Sequence, residues 1–230
     1  GGDAPQGAAI LINSGNANAF TGARGQQSVD AVCAAVAGAL DLPQGRVFTS
    51  STGVIGEPLP HERIVAIVGD LARDLDAGGV ADAARAIMTT DTFPKGASAT
   101  LADGTRIAGI AKGSGMIAPD MATMLVYLFT DATVPAAVLQ QALSSGLDAT
   151  FNAITVDSDT STSDALILAA TGQGAGAPIT DLDSDAGRDF VTALHGVMRD
   201  LAHQVVRDGE GATKFVEIAV TGAADAADAH

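Results

Sequence analysis

An α/β fold is predicted by three features of the sequence. Segments with helical apolar spacing alternate with short apolar runs of strand length. Ala and Gly dominate, with 27 glycines and only 3% aromatic residues, which suits close packing of helices and sheets through small side chains. At 230 residues the chain is long enough to bury a sizeable core.

Taken in order, Ala8-Ala-Ile-Leu-Ile-Asn13 is a continuous apolar run that reads as a buried strand. It leads into the turn-rich loop Asn13-Ser-Gly-Asn-Ala-Asn18. Val29, Val32, Cys33, Val36 and Leu40 then recur at helical spacing, with Ser28 as the N-cap. Arg46–Ser51 reads as a second strand closing on Thr52-Gly53. After Pro60, Ile64, Ile67, Val68, Leu71 and Leu75 fall on one face of a second helix, and Val80–Met88 makes a third, short one.

Thr105–Ala111 is a further strand, followed by the loop Lys112-Gly-Ser-Gly-Met-Ile-Ala-Pro119. Ala122–Thr130, strongly apolar and bounded by Pro119 and Asp131, is expected to be a central strand. A helix over Val134–Phe151 carries Val138, Leu139, Ala142, Leu143 and Leu147. Ala165–Ala170 is the next strand, and the helix from about Ala186 to Arg207 buries Phe190, Val191, Leu194, Val197, Met198, Leu201 and Val205. Lys214–Thr221 alternates, strand-like, with Phe215 and Ile218 among polar neighbours, and the Ala/Asp-rich tail reads as disordered. With no internal repeat and no evident linker, residues 1–230 are read as one domain.

Lysines and arginines number 12 against 27 acids, so the net charge is −15. Such a surface repels phosphate backbones and anionic lipid, so neither nucleic acid nor a membrane is the expected partner. No apolar run approaches the ~18 residues needed to cross a bilayer. The opening GGDAPQG lacks a basic stretch leading into an apolar signal segment. Cys33 is the only cysteine, which excludes an intramolecular disulfide and a cysteine-rich metal site. A reducing, cytoplasmic location is the simplest reading.

Several motifs fall short of their chemistry. Gly172-Gln-Gly-Ala-Gly176 has the last glycine one residue early for a dinucleotide loop, and Lys112-Gly113-Ser114 lacks the upstream glycine of a phosphate loop. Asp157-Ser-Asp-Thr-Ser-Thr opens like a calcium loop, yet Thr162 stands where glycine is needed and Leu168 where an acid is needed. His195 and His203 lie eight residues apart on one helix, too far along its axis to share a metal, and read as surface or boundary residues. No Gly-x-Ser-x-Gly elbow marks a serine. Threonine and serine remain as candidate nucleophiles.

Thr123 follows directly on Lys112-Gly-Ser-Gly-Met-Ile-Ala-Pro-Asp-Met-Ala122. Read alone, a β-branched Thr in a strand is unremarkable. The whole stretch resembles the self-cleavage site of the ornithine acetyltransferases, also called bifunctional glutamate N-acetyltransferases. In that family a Lys-Gly-Ser/Ala-Gly-Met-Ile/Leu-Ala-Pro segment precedes Ala-Thr-Met-Leu, matched here by Ala122-Thr123-Met124-Leu125. Four further segments match in order: Asn13-Ser-Gly-Asn-Ala-Asn-Ala19, Ser51-Thr52-Gly53-Val-Ile-Gly56, Met88-Thr89-Thr90-Asp91 with Pro94-Lys95, and Asp208-Gly-Glu210-Gly-Ala-Thr-Lys214.

The resemblance implies a layered αββα-like fold similar to N-terminal-nucleophile hydrolases. It implies self-cleavage between Ala122 and Thr123, giving 1–122 as part of an α chain and 123–230 as part of a β chain in an α₂β₂ assembly. Thr123 would then take an acetyl group from N-acetylornithine and pass it to glutamate, with no metal and no bound cofactor, acetyl-CoA being a possible further donor. By the same resemblance Thr52 and the Gly53 N–H form the oxyanion hole, and Thr89, Lys112, Thr123 and Glu210 contact substrate. Read without it, Thr52-Gly53 is a turn after a strand, Lys112 a solvated loop lysine, Thr89 an ordinary residue at a helix end, and Glu210 a solvated acid in a Gly-rich turn.

Family members extend beyond both ends of this chain, so the resemblance implies a truncated domain. The family's Asp-Thr-Ser-Thr-Asn-Asp-Thr loop appears as Asp159-Thr-Ser-Thr-Ser163-Asp-Ala165, without the Asn amide. Phe20 stands where cysteine is common, read as a packing change. Two other readings stay open: a self-processed aminopeptidase or amidase, and a non-catalytic fragment of the family.

Overall fold

The computed structural model describes residues 7–118, 121–122, 124–161, 163–225 and 228. Strand β1 (Ala9–Asn16) leads through helix α1 (Gly22–Leu40) to β2 (Val47–Val54), which pairs with β1 in parallel. Helices α2 (His61–Arg73) and α3 (Val80–Ala86) follow, then strands β3 (Lys95–Thr100) and β4 (Arg106–Lys112). A short antiparallel ladder, β5 (Ile117–Ala118) with β6 (Met121–Ala122), precedes β7 (Leu125–Thr130). Helix α4 (Ala136–Ser144), strand β8 (Ala165–Ala170) and helix α5 (Asp185–Arg207) complete the order. The second sheet runs β3-β4-β7-β8, antiparallel except for the parallel β7/β8 pair.

Strand periodicity sets the layers, because successive side chains point to opposite faces. Ala9 and Leu11 of β1 pack with Val32, Val36 and Val68 of α1 and α2. Their neighbours Ile10 and Ile12 face the other way, onto Ile110, Leu125, Tyr127 and Ile167 of the second sheet. On that sheet the alternate residues Ile107, Val126, Leu128, Leu166 and Leu168 meet Phe190, Leu194, Met198, Leu201 and Val205 of α5. The order is therefore helix, sheet, sheet, helix, and β7 is central, with Leu125, Val126, Tyr127 and Leu128 all buried between the layers. Each of these fully buried α5 side chains contributes about 1.5–3 kcal/mol. The approach is closest at Gly109, where a Cβ would stand 2.5 Å from Leu128 Cδ2 and 2.9 Å from Leu201 Cδ1.

Several expectations need correction. β1 runs to Asn16 and β2 through Thr52-Gly53 to Val54, because the two loops read from the sequence pair with each other in parallel. Ser28 is no N-cap: α1 starts at Gly22, and the Ser28 hydroxyl, inside the helix, bonds Arg24 O at 3.0 Å and His61 Nδ1 at 2.9 Å. The helix expected over 134–151 stops at Ser144, where Ser145 Oγ donates to Ala142 O and Gly146 follows, leaving only a short 3₁₀ turn at Phe151–Ala153. β3, Lys-Gly-Ala-Ser-Ala-Thr, carries too few large apolar residues to announce itself. On α2 only Val68 is buried; Ile67 and Leu71 stay exposed, as does Leu75 beyond the helix end. Lys214–Thr221 has no strand assignment, and Phe215 packs edge-on to His203. Phe20 is no packing residue either: it is 85% exposed at φ 58°. Among the described residues, no helix is long and apolar enough to cross a membrane.

Candidate active site

The carboxyl ends of the parallel strands β1 and β2 open onto a cavity of about 770 Å³. Crevices outside such strand ends are where α/β sheets commonly take ligands. Ser14 and Gly15 of β1 and Thr52, Gly53 and Val54 of β2 form one wall. Met88–Thr90, after α3, and Lys112, the last residue of β4, form another. Gly115, Met116, Asp157, Asp159 and Glu210 complete the lining. Thr52, Gly53, Thr89, Lys112 and Glu210 thus share one cavity. Thr123 lies outside the described residues.

Lys112 is the hub, and the reading of it as a solvated loop lysine is overturned. It is 2% exposed, and its Nζ donates to Thr89 Oγ1 at 2.9 Å and to Thr52 Oγ1 at 3.4 Å. Burial pushes its pKa down; the charges of Asp91 and Asp164 oppose that, and Lys95 adds to it. Thr52 is buried within β2, so it is no turn residue. Its hydroxyl accepts from Lys112, which leaves its own hydrogen to donate. Gly53 has φ 128°, and a Cβ there would stand 2.3 Å from the Gly15 carbonyl carbon, so only glycine lets the two strand ends approach.

Behind Lys112 lies a chain of buried charge that periodicity could not reveal. Asp91 Oδ2 stands 3.9 Å from Lys112 Nζ and accepts the Thr89 N–H at 3.1 Å. Asp91 Oδ1 accepts from Gly113 N–H at 2.7 Å and from Lys95 Nζ at 2.6 Å. Burial alone would raise the Asp91 carboxyl, but these donors outweigh it and hold its pKa below the ordinary value. Lys95, with no exposed surface, also donates to Asp208 Oδ2 at 2.6 Å. Asp208 caps α5 and further accepts from the Thr92 N–H and hydroxyl. Asp91, Lys95 and Asp208 all lie in the matched signature segments, which was the signal available for them.

The loop after β4 is held from two sides. Thr90 and Ser114 hydroxyls meet at 2.6 Å, and the Glu210 N–H donates to Ser114 O at 2.6 Å. Asp157, which had no expected role, accepts from the Met116 and Ile117 N–H groups at 2.5 and 2.9 Å. Its burial is outweighed by these donors, so its pKa is lowered. Beyond the loop, Met124 N–H donates to Asp164 Oδ1 at 2.8 Å.

A profile of the ArgJ family matches residues 3–230, all but the first two of the chain. The chain belongs to the ArgJ family. The arginine biosynthesis bifunctional protein ArgJ of Ruegeria pomeroyi is 65% identical over 225 residues, covering 96% of this chain and 54% of the relative. The ArgJ protein of Gluconobacter oxydans is 54% identical over 229 residues, covering 98% and 54%. The chain therefore spans about half the length of the curated ArgJ relatives it matches. Among solved structures, an ornithine acetyltransferase from Mycobacterium tuberculosis complexed with ornithine is 39% identical, with TM-score 0.47, over 48% of this chain and 61% of that one. An ArgJ protein from Bacillus halodurans is 35% identical, with TM-score 0.41, over 50% and 60%. The layer order described above rests on this chain's own packing.

Proposed function

We propose that this ArgJ-family chain carries the central part of an enzyme that moves an acetyl group from N-acetylornithine to glutamate. The observation that carries the reading is the meeting of Thr52, Gly53, Thr89, Lys112 and Glu210 around one cavity, from segments up to 158 positions apart in sequence (210 − 52). In the first event Thr123 Oγ attacks the Ala122 carbonyl and displaces its own α-amine, giving an ester. Water then releases the Ala122 carboxylate, leaving Thr123 as a new N-terminus and residues 1–122 and 123–230 in separate chains. The freed amine, with an ordinary pKa near ~8, takes the proton of its own hydroxyl.

The mature Thr123 Oγ then attacks the acetyl carbonyl of N-acetylornithine. Ornithine leaves with a proton, an acetyl ester remains, and the glutamate amine attacks it to regenerate the hydroxyl. Thr52 Oγ1 and the Gly53 N–H stabilise the oxyanion of each tetrahedral intermediate. Lys112 takes the α-carboxylate common to both substrates, and Glu210 takes the ornithine side-chain ammonium. Two half-reactions through one ester require a nucleophile and hydrogen-bond donors, without a metal or bound cofactor; acetyl-CoA is a further donor to test. The two cleavage products assemble as α₂β₂, and the enzyme works in the cytoplasm.

Mass spectrometry and product analysis of the full-length gene product test this. Wild type should break after Ala122 while Thr123→Ala remains one chain, and N-acetylglutamate should form only when glutamate is present. Acetate as the main product in the presence of glutamate would transfer the assignment to a self-processed hydrolase. An intact wild-type chain without acetyl transfer would leave a non-catalytic member of the fold.

A further inference from the structure

Lys112 is almost withdrawn from water, yet an anchor for a carboxylate needs its positive charge. A buried ammonium loses its proton readily unless a fixed negative charge compensates. The facing groups come from several elements. Asp91 approaches from the segment between α3 and β3, at 3.9 Å from Nζ. Lys95 of β3 is bonded to Asp91, and Asp164, before β8, adds a further negative charge. The hydroxyls of Thr52 and Thr89 accept from the ammonium without compensating its charge. Asp157, Asp159 and Glu210 line the same cavity. Among the described residues, Asp91 is the acid that forms an ion pair with Lys112, and it has no exposed side-chain surface.

Asp91 also holds the frame around Lys112. Its carboxylate takes the N–H of Thr89, whose hydroxyl is the main acceptor of Lys112, and the N–H of Gly113, the next residue after Lys112. Lys95 bridges Asp91 to Asp208, two residues before Glu210, so the segments that carry Thr89 and Glu210 are joined by alternating buried charges. Asp91, Lys95 and Lys112 lie before the expected cleavage bond and Asp208 after it, so the bridge joins the two product chains.

We propose that Asp91 is a positioning residue that keeps Lys112 charged and aimed into the cavity. The proposal rests on the reading of Lys112 as the substrate-carboxylate anchor. With Asp91→Asn, Lys112 keeps its burial and its repulsion from Lys95 but loses the counter-charge of Asp91, so it sheds its proton at lower pH. Lys95→Met with Asp208→Asn acts oppositely, since it removes the competing cation and leaves Asp91 to Lys112 alone.

The test is steady-state kinetics on the self-cleaved full-length protein from about pH 6 to pH 9, with folding checked by circular dichroism. Lys112→Met should raise KM for both N-acetylornithine and glutamate about 30-fold, the scale of losing one partner of a desolvated charge pair. Asp91→Asn should raise both KM values about 10-fold near pH 8.5 and recover towards wild type near pH 6, with kcat within about threefold. The double variant should move the alkaline rise in KM to higher pH than in wild type. Unchanged KM in Lys112→Met would remove the anchor reading itself. A normal Lys112→Met effect combined with a pH-independent change, or none, in Asp91→Asn would overturn the role of Asp91 alone. If Asp91→Asn does not fold, the double variant decides, and an unshifted alkaline limb overturns the proposal.

Discussion

Along most of its length α5 is held to the sheet by Phe190, Leu194, Met198, Leu201 and Val205, whereas its C-terminal end is held by Asp208 between Lys95 and Thr92. The apolar stretch gains free energy in proportion to the area it removes from water. The charged end gains little net stability, because desolvating Lys95, Asp91 and Asp208 offsets most of their attraction. What it supplies is geometry: it fixes the ends of α5 and β4 and the segment before β3 around one cavity. One part of the helix makes the fold stable, and the other makes the site specific.

The largest effect should come from the apolar stretch. Leu201 is fully buried and meets Gly109 at close range, so Leu201→Ala should cost about 3–5 kcal/mol. Denaturation should be compared at one protein concentration, since any association of chains makes apparent stability depend on it. KM at a temperature where the variant is folded should hardly change. A large rise in KM with little loss of stability would erase the distinction drawn between the two parts of α5.

Thr52→Ala probes the site at nearly the same magnitude in a different quantity. If its hydroxyl donates to the oxyanion, kcat should fall about 10²–10³-fold, equivalent to about 3–4 kcal/mol of barrier. Self-cleavage should slow as well, since both reactions pass through a tetrahedral intermediate. Loss of the Lys112 hydrogen bond should cost stability only about 1 kcal/mol. Unchanged kcat and unchanged processing would leave Thr52 as a strand residue beside Lys112 and no more.

The same contrast explains what the sequence made legible. The helix ending at Arg207 was readable because its apolar residues repeat at helix spacing, and Ala165–Ala170 and residues 125–129 because each is a continuous run of aliphatic and aromatic residues. β3 was not, since Gly96, Ala97, Ser98 and Ala99 have no such pattern and the strand is specified by pairing with β4. Lys112 reads as a solvated lysine from its loop-like neighbours; its burial exists only once β2, β4 and the segment after α3 meet. Composition and periodicity report on one element at a time, and a buried ion chain belongs to three. The family resemblance supplied the positions of Thr52, Thr89, Lys112 and Glu210, but it gave Asp91, Lys95 and Asp208 no role.

The smallest effect concerns Phe20, where a large apolar side chain is neither in the core nor in the site. Its ring is 85% exposed, so little apolar burial is lost on replacing it. Its backbone sits at φ 58°, in the left-handed region that costs a non-glycine residue roughly 1 kcal/mol and that Asn tolerates better. The surrounding turn is fixed without the ring: Asn18 N–H donates to Asn16 Oδ1 at 2.8 Å, and Gly56 N–H to Ala19 O at 2.9 Å. Phe20→Asn should therefore leave stability unchanged or raise it by about 0.5–1 kcal/mol, measured by denaturation of the full-length protein. A loss above about 1 kcal/mol would mean that the ring is covered in the full-length protein by chain beyond these 230 residues or by another subunit. Phe20 would then rejoin the apolar class that α5 exemplifies.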